Sequence, residues 1–266
     1  MSVHIVVCVK AVPSTTEVKM DPKTNTIVRD GRASVVNPFD ATALELALRI
    51  KDEAAGKPVR VTVLSMGIPD TARLLRDCIA RGADAGLLLS DRAFAGADTL
   101  ATTYALTCGI DALDEPVDLV VCGKMAVDGD TAQIGPELGG ALDIPCIADV
   151  QELLGVEDGV LRARRATDGG RELVEVALPA VITVAKDAAQ LRMPSIAGVL
   201  AAQDAEVEVR TAAEVGADTA RTGLSGSPTQ VVRSFVPERT HEATAIEGTV
   251  AQQADRLAEL IEEVLR

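Results

Sequence analysis

Val121-Cys122-Gly123-Lys124-Met125-Ala126-Val127-Asp128-Gly129-Asp130-Thr131-Ala132-Gln133-Ile134-Gly135-Pro136 reads as the end of a buried strand, a glycine-punctuated turn and the opening of a helix. The same alternation recurs on both sides of it. His4–Val9, Val59–Leu64, Gly86–Leu89 and Val117–Cys122 are short apolar runs suited to buried strands. Between them the spacing is helical, from Ala41 to about Ala55, after Pro69, after Asp98 and after Asp130. In the first of these segments Leu44 and Leu48 share one face, while Glu45, Arg49, Lys51 and Asp52 are expected on the other. Apolar strands alternating with amphipathic helices predict an α/β fold: a doubly wound, mostly parallel, Rossmann-like sheet covered on both faces. Such sheets take ligands beyond the carboxyl ends of their strands, where the quoted turn falls.

Beyond Pro145 the pattern changes. Val150–Val156, Val160–Arg164 and Glu172–Leu178, separated by Asp158-Gly159 and Asp168-Gly169-Gly170, predict an antiparallel excursion before an apolar strand at Pro179–Lys186. From Asp187 to about Gly248 periodicity is weak, which predicts an arm lying on another surface. Helical spacing returns over Thr249–Arg266, with Val250, Ala254, Leu257, Ile261 and Val264 on one stripe. That stripe suits packing on the chain's own body and partner docking equally. The expected division is a nucleotide-binding α/β domain over 1–186 and a partner-contacting arm and helix over 187–266.

Composition narrows the function. Of 266 residues, 40 are acidic and 26 basic, a net charge of −14, with three Phe, one Tyr and no Trp. An acidic chain lacks the basic face that nucleic-acid phosphates require and the aromatic platforms on which single strands stack. No apolar run approaches the ~20 residues of a membrane span. The five cysteines are widely spaced and form no Cys-x-x-Cys, which suits a reduced cytoplasmic setting. Two histidines, His4 and His241, assemble no Ser–His–Asp or Cys–His arrangement, and there is no lysine-bearing P-loop. No catalytic side chain and no metal site are expected, so redox chemistry would have to come from a cofactor.

In the quoted turn, Asp130 and Gln133 have the spacing of a capping box. The amides at that helix start, with the Thr131 hydroxyl and the Gln133 amide, suit a phosphate or pyrophosphate. A capped turn that holds nothing has the same sequence, and a metal held by Asp128 and Asp130 lacks a third spaced ligand. Asn37-Pro38-Phe39-Asp40 opens another helix, where Asp40 can cap or can meet a ribose or adenine edge. Cys8 and Lys10 end the first strand, and Ser65-Met66-Gly67 the second.

Val9-Lys10-Ala11-Val12-Pro13, Asn37-Pro38-Phe39, Gly82-Ala83-Asp84, Gly123 through Gln133 and Leu178-Pro179-Ala180-Val181-Ile182-Thr183 resemble an electron-transfer flavoprotein beta subunit, in order along nearly the whole chain. The Asp128-Gly129-Asp130-Thr131-Ala132-Gln133 loop, Asp91–Thr99 and Gly226-Ser227-Pro228-Thr229 resemble the electron-bifurcating subgroup. The resemblance implies a heterodimer with an alpha subunit carrying its own FAD. It implies AMP in the beta subunit of ordinary members, and a second FAD that accepts hydride from NADH in bifurcating ones. Electrons would pass through the alpha subunit to a flavin dehydrogenase, and to ferredoxin or flavodoxin. NADH oxidation is therefore expected only with the alpha subunit present. A free-standing adenine-nucleotide-binding protein is the alternative outside the family.

By position, Cys8, Asn37, Pro38, Phe39, Asp40, Met66, Gly123, Lys124, Met125, Ala126, Val127, Asp128, Gly129, Asp130, Thr131, Ala132, Gln133 and Ile134 would line adenosine and phosphates. Phe94, Gly96, Ala97, Asp98 and Thr99, with Ser227, Pro228 and Thr229, would lie nearer flavin and nicotinamide. Met125 stands where the family usually has Gln. Ala188–Pro194 stands where the family usually has an Asn-x-Pro-Arg recognition loop for the dehydrogenase.

Overall fold

The computed structural model describes residues 2–14, 34–54, 56–232, 243 and 245–265. They form two units, 1–231 and 232–266. His241, and Asp30-Gly31 before the Asn37 turn, lie outside the described residues.

The first unit is built on one nine-stranded sheet. Strand β1 (Val3–Cys8) leads through a small antiparallel pair, β2 (Ala11–Pro13) and β3 (Ser34–Val36), into helix α1 (Pro38–Glu53). Strand β4 (Val59–Met66), helix α2 (Ala72–Ala80) and strand β5 (Ala85–Leu89) follow, then helix α3 (Thr99–Asp111), strand β6 (Leu119–Gly123) and helix α4 (Ile134–Leu142). The excursion is β7 (Cys146–Glu157), β8 (Val160–Thr167) and β9 (Gly170–Ala177), after which β10 (Ala180–Val184) returns to the centre. Helix α5 (Ile196–Gln203) and strand β11 (Val207–Arg210) complete the unit.

The strand order is β11-β5-β4-β1-β6-β10-β7-β8-β9. Pairing is parallel from β11 to β7 and antiparallel from β7 to β9. Period-two alternation sends neighbouring residues of each central strand into different cores. Ile5, Val7, Val63, Val121 and Ile182 meet Leu44, Leu48 and Leu75 of α1 and α2. Val6, Cys8, Leu64, Val120 and Val181 meet Ala105, Leu106 and Leu138 of α3 and α4. Both faces are covered, which is why these strands read as continuous apolar runs.

The chain leaves β1 toward β4 on one side and returns through α3 to β6 on the other, so the order of connection reverses between β1 and β6. Cys8 and Cys122 are register partners at that point, and sheets of this kind form their ligand crevice beyond the carboxyl ends of two such strands.

The stretch 187–231 is more ordered than its sequence suggests. Helix α5 packs on α2 so closely that a Cβ on Gly198 would lie 2.2 Å from the Ala80 carbonyl oxygen. Strand β11 pairs with β5 from Val207↔Gly86 to Arg210↔Leu89. A short apolar helix and a four-residue edge strand leave too little periodicity to be legible in sequence. In the second unit, helix α6 (Val250–Leu265) is capped reciprocally, Thr249 N–H donating to Gln252 Oε1 (2.9 Å) and Gln252 N–H to Thr249 Oγ1 (3.4 Å).

Glu45 departs from the amphipathic reading. It is 5% exposed and receives Arg192 through its backbone N–H (3.1 Å), Nε (2.9 Å) and Nη2 (3.2 Å), with Arg49 Nε at 3.0 Å. Burial opposes its ionisation, but Arg192 and Arg49 together hold the carboxyl below its ordinary 4.5. The stabilisation is therefore complete above pH 4.5 and is lost as pH falls through the lower folded-state value. Glu45→Gln is expected to cost about 2 kcal/mol at pH 7. In urea unfolding curves the gap from wild type should shrink progressively as the pH is taken below 4.5.

Candidate functional site

The polar side chains of α1's first turns build the crevice. Asn37, fully buried at the helix N-cap, donates Nδ2–H to the Met125 carbonyl (2.9 Å) and accepts from Val127 N–H through Oδ1 (3.2 Å). Asp40 lies inside the helix rather than at its cap. Its Oδ2 accepts from Lys10 N–H (2.8 Å), just past β1, and its Oδ1 from Gly123 N–H (3.2 Å), at the end of β6. Helix and strand approach so closely that a Cβ on Gly123 would lie 2.3 Å from Asp40 Oδ1 and 2.6 Å from Phe39 Cβ. Glycine is required there.

Desolvation pushes the Asp40 carboxyl from 3.8 up to about 7, against the lowering pull of Asn37, the two backbone donors and the Lys10 charge. The thiol of Cys122 is raised well above its ordinary value by its contact with Cys8 and by burial.

The loop leaves β6 through Lys124, whose ammonium pairs with Asp149 (2.7 Å), and turns at Ala126, whose carbonyl accepts from Gly129 N–H (3.1 Å) and Asp130 N–H (2.8 Å). Lys10 Nζ closes on Asp128 Oδ1 at 2.7 Å. Asp130 and Ala132 have φ of 51° and 54°. Helix α4 begins only at Ile134, and Gln133 makes no side-chain capping bond. The Asp130–Gln133 capping box is thus absent, because the left-handed backbone at Asp130 ends one turn before the helix starts. Among the described residues, the N–H groups of Thr131, Ala132, Gln133, Ile134 and Gly135 meet no hydrogen-bond acceptor. They form a row of free donors running into a helix N-terminus, exposed at Thr131 and Gln133 and buried by Gly135, the backbone chemistry suited to an anion. No glycine marks the left-handed residues, so sequence could not foresee this path.

Two more features lie at the carboxyl ends of the strands. Met66, half-buried, ends β4, and the neighbouring Ser65 hydroxyl is buried without a hydrogen-bond partner. Segments 91–99 and 219–229 are stitched together. Asp98 caps α3 through Ala101 N–H (3.1 Å) and also receives Thr229 N–H (3.0 Å) and Thr229 Oγ1 (2.8 Å), while Ser227 Oγ accepts from Asp98 N–H (2.8 Å). Phe94 is buried in the α3–α4 core, Gly96 is exposed, Ala97 and Thr99 are half-buried, and Pro228 is exposed. Thr99 also donates to Glu137 of α4 (3.1 Å).

A hollow of about 530 Å³ lies at the opposite edge, lined by Ser2, Val3, Pro58, Val59, Arg60, Asp84 and Glu115. Its charges already pair with one another or with neighbours: Arg60 with Glu115 at 2.9 Å and Asp84 with Lys51 at 2.6 Å. The described residues contain no group of three or more side chains suited to a metal, and no helix long and apolar enough to cross a membrane.

The crevice at the reversal point and the donor row beside it define an α/β protein of the class that seats a ligand at the carboxyl edge of its sheet. The model of the electron transfer flavoprotein domain matches residues 24–215, and the chain belongs to that family. It is similar to the electron transfer flavoprotein subunit beta of Megasphaera elsdenii, 45% identical over 240 residues, covering 88% of this chain and 87% of that one. It is also similar to caffeyl-CoA reductase-Etf complex subunit CarD of Acetobacterium woodii, 42% identical over 250 residues and 94% of each chain. Protein FixA of Azotobacter vinelandii is 41% identical over 251 residues, 92% of this chain and 88% of its own.

Asn37→Ala would leave the Met125 carbonyl and the Val127 N–H unpaired. The expected cost is about 2 kcal/mol in unfolding free energy, with faster amide exchange across 125–131 than in wild type. Unchanged exchange there would show that Asn37 does not hold the loop.

Proposed function

We propose that this chain is the beta subunit of a heterodimeric electron-transfer flavoprotein and that its crevice seats FAD. The observation that carries the reading is the row of unpaired amides from Thr131 to Gly135 at the start of α4, in a chain of this family. Those donors fit a pyrophosphate, and the buried Ser65 hydroxyl is a polar group in need of a partner. Cys8, Asn37 to Asp40, Met66 and the Gly123–Ile134 loop would surround adenosine and phosphates. Segments 94–99 and 227–229 would lie toward the flavin and the nicotinamide of NADH.

Bound FAD would supply hydride acceptance from NADH and one-electron transfer, in bifurcation toward both a flavin dehydrogenase and ferredoxin or flavodoxin by way of the alpha subunit. The chain's own residues bind and orient. Asn37 fixes the loop, Asp128 is held by Lys10, and the Asp98–Thr229 contact joins the two segments assigned to the flavin end. The stretch 187–266 would serve partner contact. Met193, Ile196 and Leu200 expose apolar surface beside the position of the family's recognition loop, and α6 carries Leu257 and Ile261 half-exposed on its stripe. Five free thiols suit a cytoplasmic setting.

Co-expression with the alpha subunit, followed by nucleotide extraction from the purified complex, is expected to yield two FAD per heterodimer. One FAD with one AMP would replace this reading by the non-bifurcating one. A stable lone chain that turns over ATP would overturn it altogether.

A further inference from the structure

Asp40 sits where β1 and β6 part, and it touches both. One carboxylate oxygen accepts from Lys10 N–H at 2.8 Å and the other from Gly123 N–H at 3.2 Å. Neither contact belongs to the β1–β6 ladder, whose register ends at Cys8↔Cys122. Beyond that pair the strand ends diverge, and the carboxylate replaces the missing backbone bonds. The contact permits no slack, since Gly123 has no room even for a methyl group. Asn37, one turn earlier, holds the same loop from the other side through Met125 and Val127.

We propose that Asp40 is a positioning residue: its carboxylate clamps the two strand ends that flank the nucleotide crevice, and its protonation releases one of them. The inference rests on the nucleotide site proposed above but concerns a group that acts through Lys10 and Gly123.

Two backbone donors need two acceptor oxygens. A protonated carboxyl keeps one oxygen as a carbonyl acceptor and turns the other into a neutral hydroxyl, a weaker acceptor for the N–H that faces it. The loosened end is then Lys10 or Gly123, and with it the loop bearing the donor row. Burial places this change in the neutral range, about 7. The groups that face Asp40 are few. Lys10 favours the ionised form, and the Asn37 amide does the same. The Cys78 thiol on α2 and the Cys122 thiol on β6 also interact with it, but Cys78 is pushed up to about 12 and Cys122 well above its ordinary value, so both stay neutral.

The test is amide hydrogen exchange on the full-length chain between pH 5.5 and 8.5, corrected for intrinsic exchange rates. Protection at Lys10 or at Gly123 is expected to fall roughly tenfold on acidification, the loss of one hydrogen bond to a charged group, with a midpoint near 7. Asp40→Asn should show low protection with no such titration. Should that variant fail to fold, Lys10→Gln serves instead, because removing a neighbouring positive charge must move the wild-type midpoint to higher pH. Retained adenine nucleotide, measured by chromatography after gel filtration and denaturation, should follow the same profile in wild type. A monophosphate titrates near 6 on its own account, and only the component absent from Asp40→Asn belongs to the clamp. Protection that is flat with pH in wild type, or that titrates unchanged in either variant, overturns the proposal. Protection that titrates as described in a chain holding no adenine nucleotide at any pH, alone or with its alpha subunit, supports the clamp and overturns the nucleotide reading.

Discussion

One helix, buried on nearly all sides, ties several separate segments of the molecule together. Helix α1 turns Asn37, Asp40, Thr42 and Glu45 inward, all nearly or fully buried, and each satisfies groups on a different segment. Asn37 serves the loop after β6, Asp40 the ends of β1 and β6, Thr42 Oγ1 the carbonyl of Lys186 after β10 at 2.7 Å, and Glu45 the guanidinium of Arg192. An unpaired buried polar group costs of order 1–3 kcal/mol, so none of these segments can drift without penalty. The segments so tied are those that frame the crevice or lead into 187–231. The helix is therefore the reference against which the site is positioned.

That arrangement bears on how a protein so poor in aromatic rings would hold the nucleotide proposed for it. With three Phe, one Tyr and no Trp there is little to sandwich a planar ligand. Phe39 and Phe94 are themselves committed to the interior. What remains is backbone: five consecutive amides from Thr131 to Gly135, presented by a loop whose left-handed turns at Asp130 and Ala132 are held between Lys10 and Asn37. Backbone donors suit phosphate oxygens regardless of side chain, so in the proposed site Met125 would take no donor from that row.

The hollow at the amino-terminal ends of the strands makes the complementary point. Its ion pairs are already closed. Concavity alone does not make a binding site, whereas donors left without acceptors at the sheet's reversal point do point to one.

The sequence by itself determined the architecture. Apolar runs alternating with helical spacing specify a parallel sheet covered on both faces, because strands buried twice must be apolar throughout. It also located the loop and the Asn37 turn, since glycines and caps are local signals. Only the tertiary structure decided what those residues do. Asp40 and Asp130 read as helix caps, but capping depends on where the helix begins: α1 starts at Pro38 and takes Asp40 inside it, while α4 starts at Ile134 with Gln133, not Asp130, at its N-cap. Glu45 read as a solvent-facing charge, and its burial depends on Arg192, 147 residues away in the chain. Helix α5 and β11 carried no usable periodicity and were placed by α2 and β5. Local spacing encodes local conformation; the partner of a buried charge is a property of the whole fold.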